Sequence, residues 1–314
     1  MIYLKALVIG LGSIGTRHVK NLMQLGVEVI GFEPNKEMRT LQVQYIENLD
    51  DPLLHADFAV ICSPTNLHLP QAIHLANKGM HLFIEKPPSN NLEGFTELKK
   101  ILKEKKLTAM VACNFRFSDG LQLVKKLADE GKYGKLLSAR AYFGQYLPNM
   151  RKGRDYRTLY AAGPAGGVVL DSFHEFDYIY WFLGIPKKLL SWKGRISKLE
   201  IQKDDIAEVI LQYSDAVANI HVDYLRRKYK RSCEFIFEDA TIIWDYKADE
   251  QKEVVELYDN DGNKHVLLDA VLDVNKMYLE EMKHFLECIQ AKKKPILGIA
   301  ESEKTLKTIM KVLR

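Results

Sequence analysis

Paired cysteines are missing from this chain. The four that occur, Cys62, Cys113, Cys233 and Cys288, lie far apart with no CxxC between them. That spacing fits neither a paired-cysteine zinc site nor a small disulfide framework, and it implies a reducing, cytoplasmic setting. No metal site is expected. Long apolar runs are missing too: none approaches the roughly 20 residues that a membrane helix needs. The N-terminus lacks the basic, apolar and small-residue regions of a secretory signal, and "KALVIG" (5–10) is short enough to be a strand. There is no repeat and no low-complexity tract. Charge of one sign is not in excess either, with 45 basic and 41 acidic residues and a net charge of +4. The densest basic run, "YLRRKYKR" (224–231), lies between alternating apolar segments. It suits a solvated hairpin end or a contact between subunits better than a nucleic-acid face.

What remains is an ordinary globular composition, 47% hydrophobic and 27% charged, on 314 residues. A chain of that length exceeds what one core usually fills, so two domains are expected. From residue 4 to 114, short apolar runs alternate with helical stretches: "LKALVIG" (4–10), "VEVIGFE" (27–33), "DFAVICS" (57–63), "HLFIEK" (81–86) and "TAMVACN" (108–114). Apolar residues on consecutive positions are what strands covered on both faces require, which predicts a parallel sheet. The intervening helices "GTRHVKNLMQLG" and "LPQAIHLANKG" each end at a glycine suited to a left-handed cap, Gly26 and Gly79. Beyond residue 118 the pattern becomes period-two, as in "IAEVILQY", "AVANIHVDY", "CEFIFED" and "TIIWDY". Tight connections at Ser214-Asp215, Glu238-Asp239 and "DNDGN" (259–263) read as hairpins. The fold class is therefore α/β: a dinucleotide-binding Rossmann domain over 1–118, then an α+β domain over 119–314 with a large, mostly antiparallel sheet and helices on one face. The other sheet face should carry Val209, Leu211 and Val217 or their neighbours, and an apolar outer face predicts a homodimer or homotetramer.

"VIGLGSIGTRH" spaces Gly10, Gly12 and Gly15 as GxGxxG after a strand and at the opening of a helix, with Ser13 and Ile14 in its first turn. Gly10 permits a tight turn, Gly12 lets the backbone approach a pyrophosphate, and Gly15 lets helix pack on strand. A second strand ends in Glu33, an acceptor for ribose hydroxyls whose charge opposes a 2′-phosphate, so NAD is favoured over NADP. Lys36 and Arg39, just downstream, either neutralise such a phosphate or begin a solvated helix.

Together with that turn, "CSPTNLH" (62–68), "EKP" (85–87), "NFRF" (114–117) and "GGVVLDSFHEFDYIYWFLG" (166–184) resemble the GFO/IDH/MocA oxidoreductases, the family of glucose-fructose oxidoreductase and inositol dehydrogenase, over essentially the whole chain. The resemblance implies a cofactor site that includes Ser63, Pro64, Thr65, His68, Glu85, Lys86 and Arg116. It implies that Lys86 reaches the junction of nicotinamide and substrate, and that the Lys86-Pro87 bond is cis. Proline also restricts the residue before it, so Lys86 is offered from a fixed strand end. The family's basic histidine maps onto His174, with Asp171 before it and Asp177 after it. Ser172 and Glu175 read as an S-x-x-E capping box, which places His174 in a helix's first turn, where the dipole favours a neutral ring able to accept a proton. Asp171 precedes His174 by three residues where four is commoner in the family; it either orients substrate or ends a strand. Asp177 either bonds a ring nitrogen of His174 or faces solvent.

Arg116 matches the family's arginine near nicotinamide and substrate, and its fork would suit a hydroxyl pair or a carboxylate. The segment 144–160 reads as a long loop over the cleft, with Gln145, Arg154, Tyr156 and Arg157 as candidate substrate contacts. The cations Arg151, Lys152, Arg154 and Arg157 point to an anionic sugar acid or nucleotide sugar. The expected activity is NAD(P)-dependent hydride transfer to or from a sugar, sugar acid, cyclitol or nucleotide sugar. Lys86, His174 and Asp171 are its catalytic residues, and no nucleic acid or membrane is a partner. The alternatives are a cofactor-retaining glycosidase or epimerase, and a non-catalytic dinucleotide sensor.

Overall fold

The computed structural model describes residues 4–51, 54–151, 153–164 and 166–314. They form two compact units, Met1–Asn114 with Asn275–Leu306, and Phe115–Val274 with Lys307–Arg314.

In the first unit the five apolar runs become β1 (Lys5–Ile9), β2 (Glu28–Phe32), β4 (Phe58–Ile61), β5 (His81–Ile84) and β6 (Ala109–Val111), with a short added strand β3 (Gln44–Tyr45), and they interleave with α1 (Ser13–Gln24), α2 (Thr65–Asn77) and α3 (Phe95–Glu104). The strands make one parallel sheet in the order β3-β2-β1-β4-β5-β6. Ala6 to Val8, Phe58 to Ile61 and Leu82 to Ile84 are fully buried, as strands covered on both faces must be. The chain order reverses direction between β1 and β4, and in open α/β sheets ligands bind beyond the strand ends at such a switch point. Gly26 and Gly79 close α1 and α2 with φ of +75° and +87°, the left-handed caps expected.

A 3₁₀ turn at Asn114–Phe117 leads into the second unit, whose first helix is α4 (Asp119–Asp129). Then follow β7 (Leu136–Tyr146), α5 (Val168–Asp171), α6 (Phe173–Leu183), β8 (Lys188–Gly194), β9 (Ile206–Gln212), β10 (Val217–Asp223), β11 (Leu225–Phe237), β12 (Thr241–Lys247), β13 (Lys252–Tyr258) and β14 (Lys264–Val271). They form an eight-stranded sheet in the order β14-β13-β12-β11-β7-β10-β9-β8. Every pairing is antiparallel except β7 with β10. The three expected hairpins join β9 to β10, β11 to β12 and β13 to β14. Two readings change. The basic run belongs to the first half of β11, across a register shift between Leu225 and Lys230, and is not a hairpin end. Val209 and Leu211 are fully buried, so the open face carries their neighbours: Ile210 and Val217, with Leu190 and Trp192 of β8.

The chain ends in α7 (Val274–Ala291) and α8 (Ile299–Leu313). The division expected at residue 118 falls after Asn114, and α7 with the first part of α8 packs into the first unit instead of closing the second. Phe285 explains why: its ring meets Phe58 and Phe83 edge-on at 5.5 and 5.4 Å, on the parallel sheet. In the same unit the Glu281 carboxylate accepts the Cys113 amide. Among the described residues no helix is long and apolar enough to cross a membrane.

Candidate active site

β1 runs straight into the glycine turn. Gly10 takes φ +82°, and a Cβ there would lie 2.8 Å from the Cys62 carbonyl oxygen. At Gly15 a Cβ would stand 1.9 Å from the Gly10 oxygen, so α1 can approach β1 only as glycine. Gly12 differs, because a Cβ there would meet nothing within 4 Å. Two glycines thus close the turn and the third leaves its backbone bare, with Ser13 and Ile14 opening α1 beside it. An unobstructed backbone at a helix N-terminus fits a pyrophosphate.

Glu33 follows β2, and its carboxylate is buried. Oε2 accepts the Leu11 amide at 2.8 Å and Oε1 the Asn35 amide at 3.0 Å, which ties the turn to the end of β2. A carboxylate has about four acceptor positions, so these two bonds leave capacity for ribose hydroxyls. Arg39 is committed elsewhere: its Nε donates to the Glu33 carbonyl at 2.8 Å and its fork to Glu47 at 2.6 and 3.1 Å. That pairing holds the Arg39 pKa above its ordinary value and Glu47 below.

After β4, Ser63 donates its hydroxyl to Gln71 Oε1 at 2.6 Å, and Pro64 and Thr65 start α2. His68 is buried, with Nδ1 2.9 Å from the Pro87 oxygen and Nε2 2.7 Å from the Ser63 oxygen. Its ring therefore bridges two strand ends. Burial lowers its pKa, although both carbonyl contacts work the other way. β5 leads directly into Glu85 and Lys86, and the Lys86-Pro87 bond is cis. Glu85 Oε2 accepts the Lys86 amide at 3.1 Å, while Oε1 lies 2.8 Å from Nε2 of the fully buried His18.

In the second unit, α5 and α6 meet at Ser172, and His174 lies in the first turn of α6, buried. The capping box does not form. The Ser172 hydroxyl is buried with no hydrogen-bond partner among the described residues. Glu175 turns instead to Arg231, whose Nε donates to it at 2.8 Å, because a fully buried carboxylate demands a counter-charge. The Arg231 guanidinium also stacks over Phe115 and Phe143 at 4.5 and 4.4 Å, and the Phe115 ring stands edge-on to His174 at 4.9 Å. Asp177 neither bonds His174 nor faces solvent. It is buried and takes the fork of Arg116, Nε to Oδ2 at 2.7 Å and Nη2 to Oδ1 at 2.9 Å, with the guanidinium 5.3 Å from the Trp181 ring. Arg116 thus clamps α6. Asp171 ends the short helix α5, not a strand, and accepts the hydroxyl of fully buried Tyr224 at 3.0 Å.

The segment 144–160 is only partly loop. Gln145 is the last residue but one of strand β7, half-buried. The Tyr156 hydroxyl accepts the Glu200 amide at 3.1 Å, and Arg157 pairs with Asp155 at 2.8 Å and Glu200 at 3.4 Å, which raises its pKa. Arg151 and Arg154 are exposed, and Lys152 lies outside the described residues. Sequence reasoning missed His18, Tyr224 and the Arg231–Glu175 pair. Only His18 carried a local signal, a histidine one position before Val19 and four before Leu22 on the buried stripe of α1.

Residues 4–113 match the oxidoreductase family GFO/IDH/MocA, NAD-binding Rossmann fold, and residues 121–243 match the GFO/IDH/MocA C-terminal domain. The chain is 26% identical over 317 residues to myo-inositol 2-dehydrogenase of Thermotoga maritima, covering 93% of this chain and 90% of that one. It is 24% identical over 311 residues to scyllo-inositol 2-dehydrogenase (NAD(+)) of Bacillus subtilis, covering 92% and 87%. Among solved structures, the WlbA dehydrogenase from Bordetella pertussis in complex with NADH and UDP-GlcNAcA shares the fold with a TM-score of 0.82 at 19% identity, covering 99% of this chain and 97% of that one.

Proposed function

The chain belongs to the GFO/IDH/MocA oxidoreductase family, and from that premise we propose that it moves a hydride between a nicotinamide cofactor and the hydroxyl- or keto-bearing carbon of a cyclitol or sugar. One observation supports the reading: both family matches extend over the residues to which it assigns the chemistry, Lys86 within 4–113 and His174 within 121–243. The near full-length likeness to two inositol dehydrogenases favours a cyclitol first.

Oxidising a secondary alcohol removes a hydride from carbon and a proton from oxygen. The nicotinamide ring, when bound, supplies or accepts the hydride. In this reading an imidazole nitrogen of His174 takes the hydroxyl proton, and returns it in the reverse direction. The Lys86 ammonium stabilises negative charge on the reacting oxygen, worth most where water is excluded. Asp171, fixed by Tyr224, orients the substrate. The bare Gly12 backbone receives the pyrophosphate. Glu33 receives the ribose, and NAD is preferred over NADP because Arg39 is spent on Glu47 and Glu33. Copies of the chain associate through the open face of the eight-stranded sheet, a mass that sedimentation of the purified protein measures directly.

The test follows the absorbance of reduced nicotinamide with NAD and NADP against myo-inositol, scyllo-inositol, free sugars, sugar acids and nucleotide sugars. Turnover should fall about 10²- to 10⁴-fold in Lys86→Met and in His174→Ala, with far smaller changes in NADH affinity. Full activity in either variant sinks the assigned chemistry. Silence across the panel with tight NADH binding would favour a cofactor-retaining reaction.

A further inference from the structure

Lys86 reaches its position through a backbone anchor that begins on another element. α1 starts at the glycine turn, and its buried face carries His18, a polar ring with no exposed surface. Two aromatic rings wall it in edge-on, Phe83 at 5.2 Å and Tyr278 at 5.9 Å, and the Arg17 guanidinium caps Tyr278 at 4.5 Å. A ring in such surroundings needs partners for its polar atoms, because an unmet buried donor is destabilising. Nε2 is spent on Glu85 Oε1 at 2.8 Å. Nδ1 is buried and meets no hydrogen-bond partner among the described residues. A hydrogen on Nδ1 would be wasted, so the ring whose every hydrogen is bonded carries its proton on Nε2 and donates it to Glu85.

That donation fixes one oxygen of Glu85 and thereby aims the other. Oε2 accepts the amide of Lys86 at 3.1 Å, the last main-chain donor before Pro87 and Pro88, which have none. The Glu85 amide itself is bonded to the Ile61 carbonyl at 2.9 Å, so it belongs to the sheet. We propose that His18 is a positioning residue for Lys86: it holds the Glu85 carboxylate so that the carboxylate holds the Lys86 backbone, and it couples the helix of the glycine turn to the strand end that presents the lysine. The inference rests on the role proposed above for Lys86, and it assigns to His18 a function beyond filling the core.

A core histidine with no such role would lower stability when replaced and leave the Lys86 amide alone. The experiment therefore reads that amide directly, by hydrogen exchange of the purified full chain analysed at the peptide 84–88, where only the Glu85 and Lys86 amides exchange beyond its first residue. It also reads turnover of myo-inositol with NAD, and NADH binding by fluorescence. His18→Phe keeps a ring and loses the donor, His18→Gln restores a donor near Nε2, and Glu85→Gln is isosteric but offers one acceptor oxygen where two are needed. Exchange at 84–88 should quicken in His18→Phe and Glu85→Gln, and turnover should fall about 10- to 100-fold, the scale of a small misplacement of a reacting group. His18→Gln should recover part of both losses relative to His18→Phe. The His18→Phe/Glu85→Gln double variant should be no slower than the worse single variant, since both cut one chain of contacts. Unchanged exchange in both single variants, unchanged turnover despite faster exchange, or losses that multiply in the double variant would each overturn the proposal. Glu85→Gln keeps the test alive if the ring replacement disturbs folding. The exchange arm needs no substrate, so it decides the anchor even if Lys86→Met stays fully active and the assigned chemistry fails.

Discussion

Around Lys86 the groups that fix the backbone are two histidines, one carboxylate and main-chain oxygens, whereas around His174 they are two buried arginine–carboxylate pairs, Arg116 with Asp177 and Arg231 with Glu175. The sequence neighbours account for part of the difference. Lys86 ends a strand, so the sheet satisfies most of its surroundings and a few hydrogen bonds complete the job. His174 opens a helix whose neighbours one and three residues on are acids, and those acids enter the interior only with a cation each. A closed pair fixes geometry while nearly cancelling its own charge, so α6 is held without placing a bare cation beside the imidazole. The lesson concerns failure. An anchor of single hydrogen bonds loosens when one partner goes, but losing half of a buried ion pair removes a full counter-charge.

The largest expected effect tests that contrast. Asp177→Ala removes the carboxylate that takes the Arg116 fork inside the second unit and should cost about 3–5 kcal/mol of unfolding free energy, read from urea unfolding at matched pH. Removing both partners, Arg116→Met with Asp177→Leu, should recover most of the loss, since apolar replacements of a buried pair are often neutral. A single variant within about 1 kcal/mol of the parent would mean that α6 is held by its aromatic packing, and the proposed contrast with Lys86 would collapse.

The same contrast explains how much could be read in the sequence. The five apolar runs became strands, Gly10 makes the tight turn and Gly15 the close helix–strand approach that their spacing assigned, and Lys86 stands before a cis proline at a strand end. Those features are local: each depends on residues within a turn or a strand. The pairs that hold α6 are not, because Arg116 lies 61 positions from Asp177, and Glu175 56 from Arg231. A local motif, S-x-x-E, suggested a cap for Ser172 and Glu175, and the distant cation outbid it. Period-two alternation placed Val209 and Leu211 on one face but could not say which face the helices cover. The sheet took them inside and left Ile210 and Val217 out. α7 reads as an amphipathic helix without naming its partner, and Phe285 settles it on the first unit's sheet.

The smallest expected effect sharpens the comparison on two histidines, each with both ring nitrogens occupied. His68 faces two carbonyl oxygens and is buried, and burial outweighs them, so its pKa is lowered. For His221 burial also pulls down. Hydrogen bonds to Asp223 at 3.0 Å and Glu208 at 2.5 Å more than offset it, so its pKa is raised. Its ring also stacks on Tyr142 at 4.4 Å. The two should titrate into stability with opposite sign. A folded pKa above the unfolded one contributes stability that is full below the unfolded value and fades as pH rises through the folded value. A lowered one subtracts stability as pH falls from the ordinary histidine value toward the folded value, because the unfolded chain then binds the proton more readily. Parent and His221→Gln should therefore differ more at about pH 6 than at about pH 8.5, with a gap of about 0.5–1.5 kcal/mol at the acid end. Parent and His68→Gln should differ less at about pH 6 than at about pH 8.5. Parallel pH dependences in the two variants, measured by urea unfolding, would show that carbonyl and carboxylate partners hold these rings alike. Opposite slopes would show that the charge of the partner, more than the number of bonds, decides how each unit answers to acid.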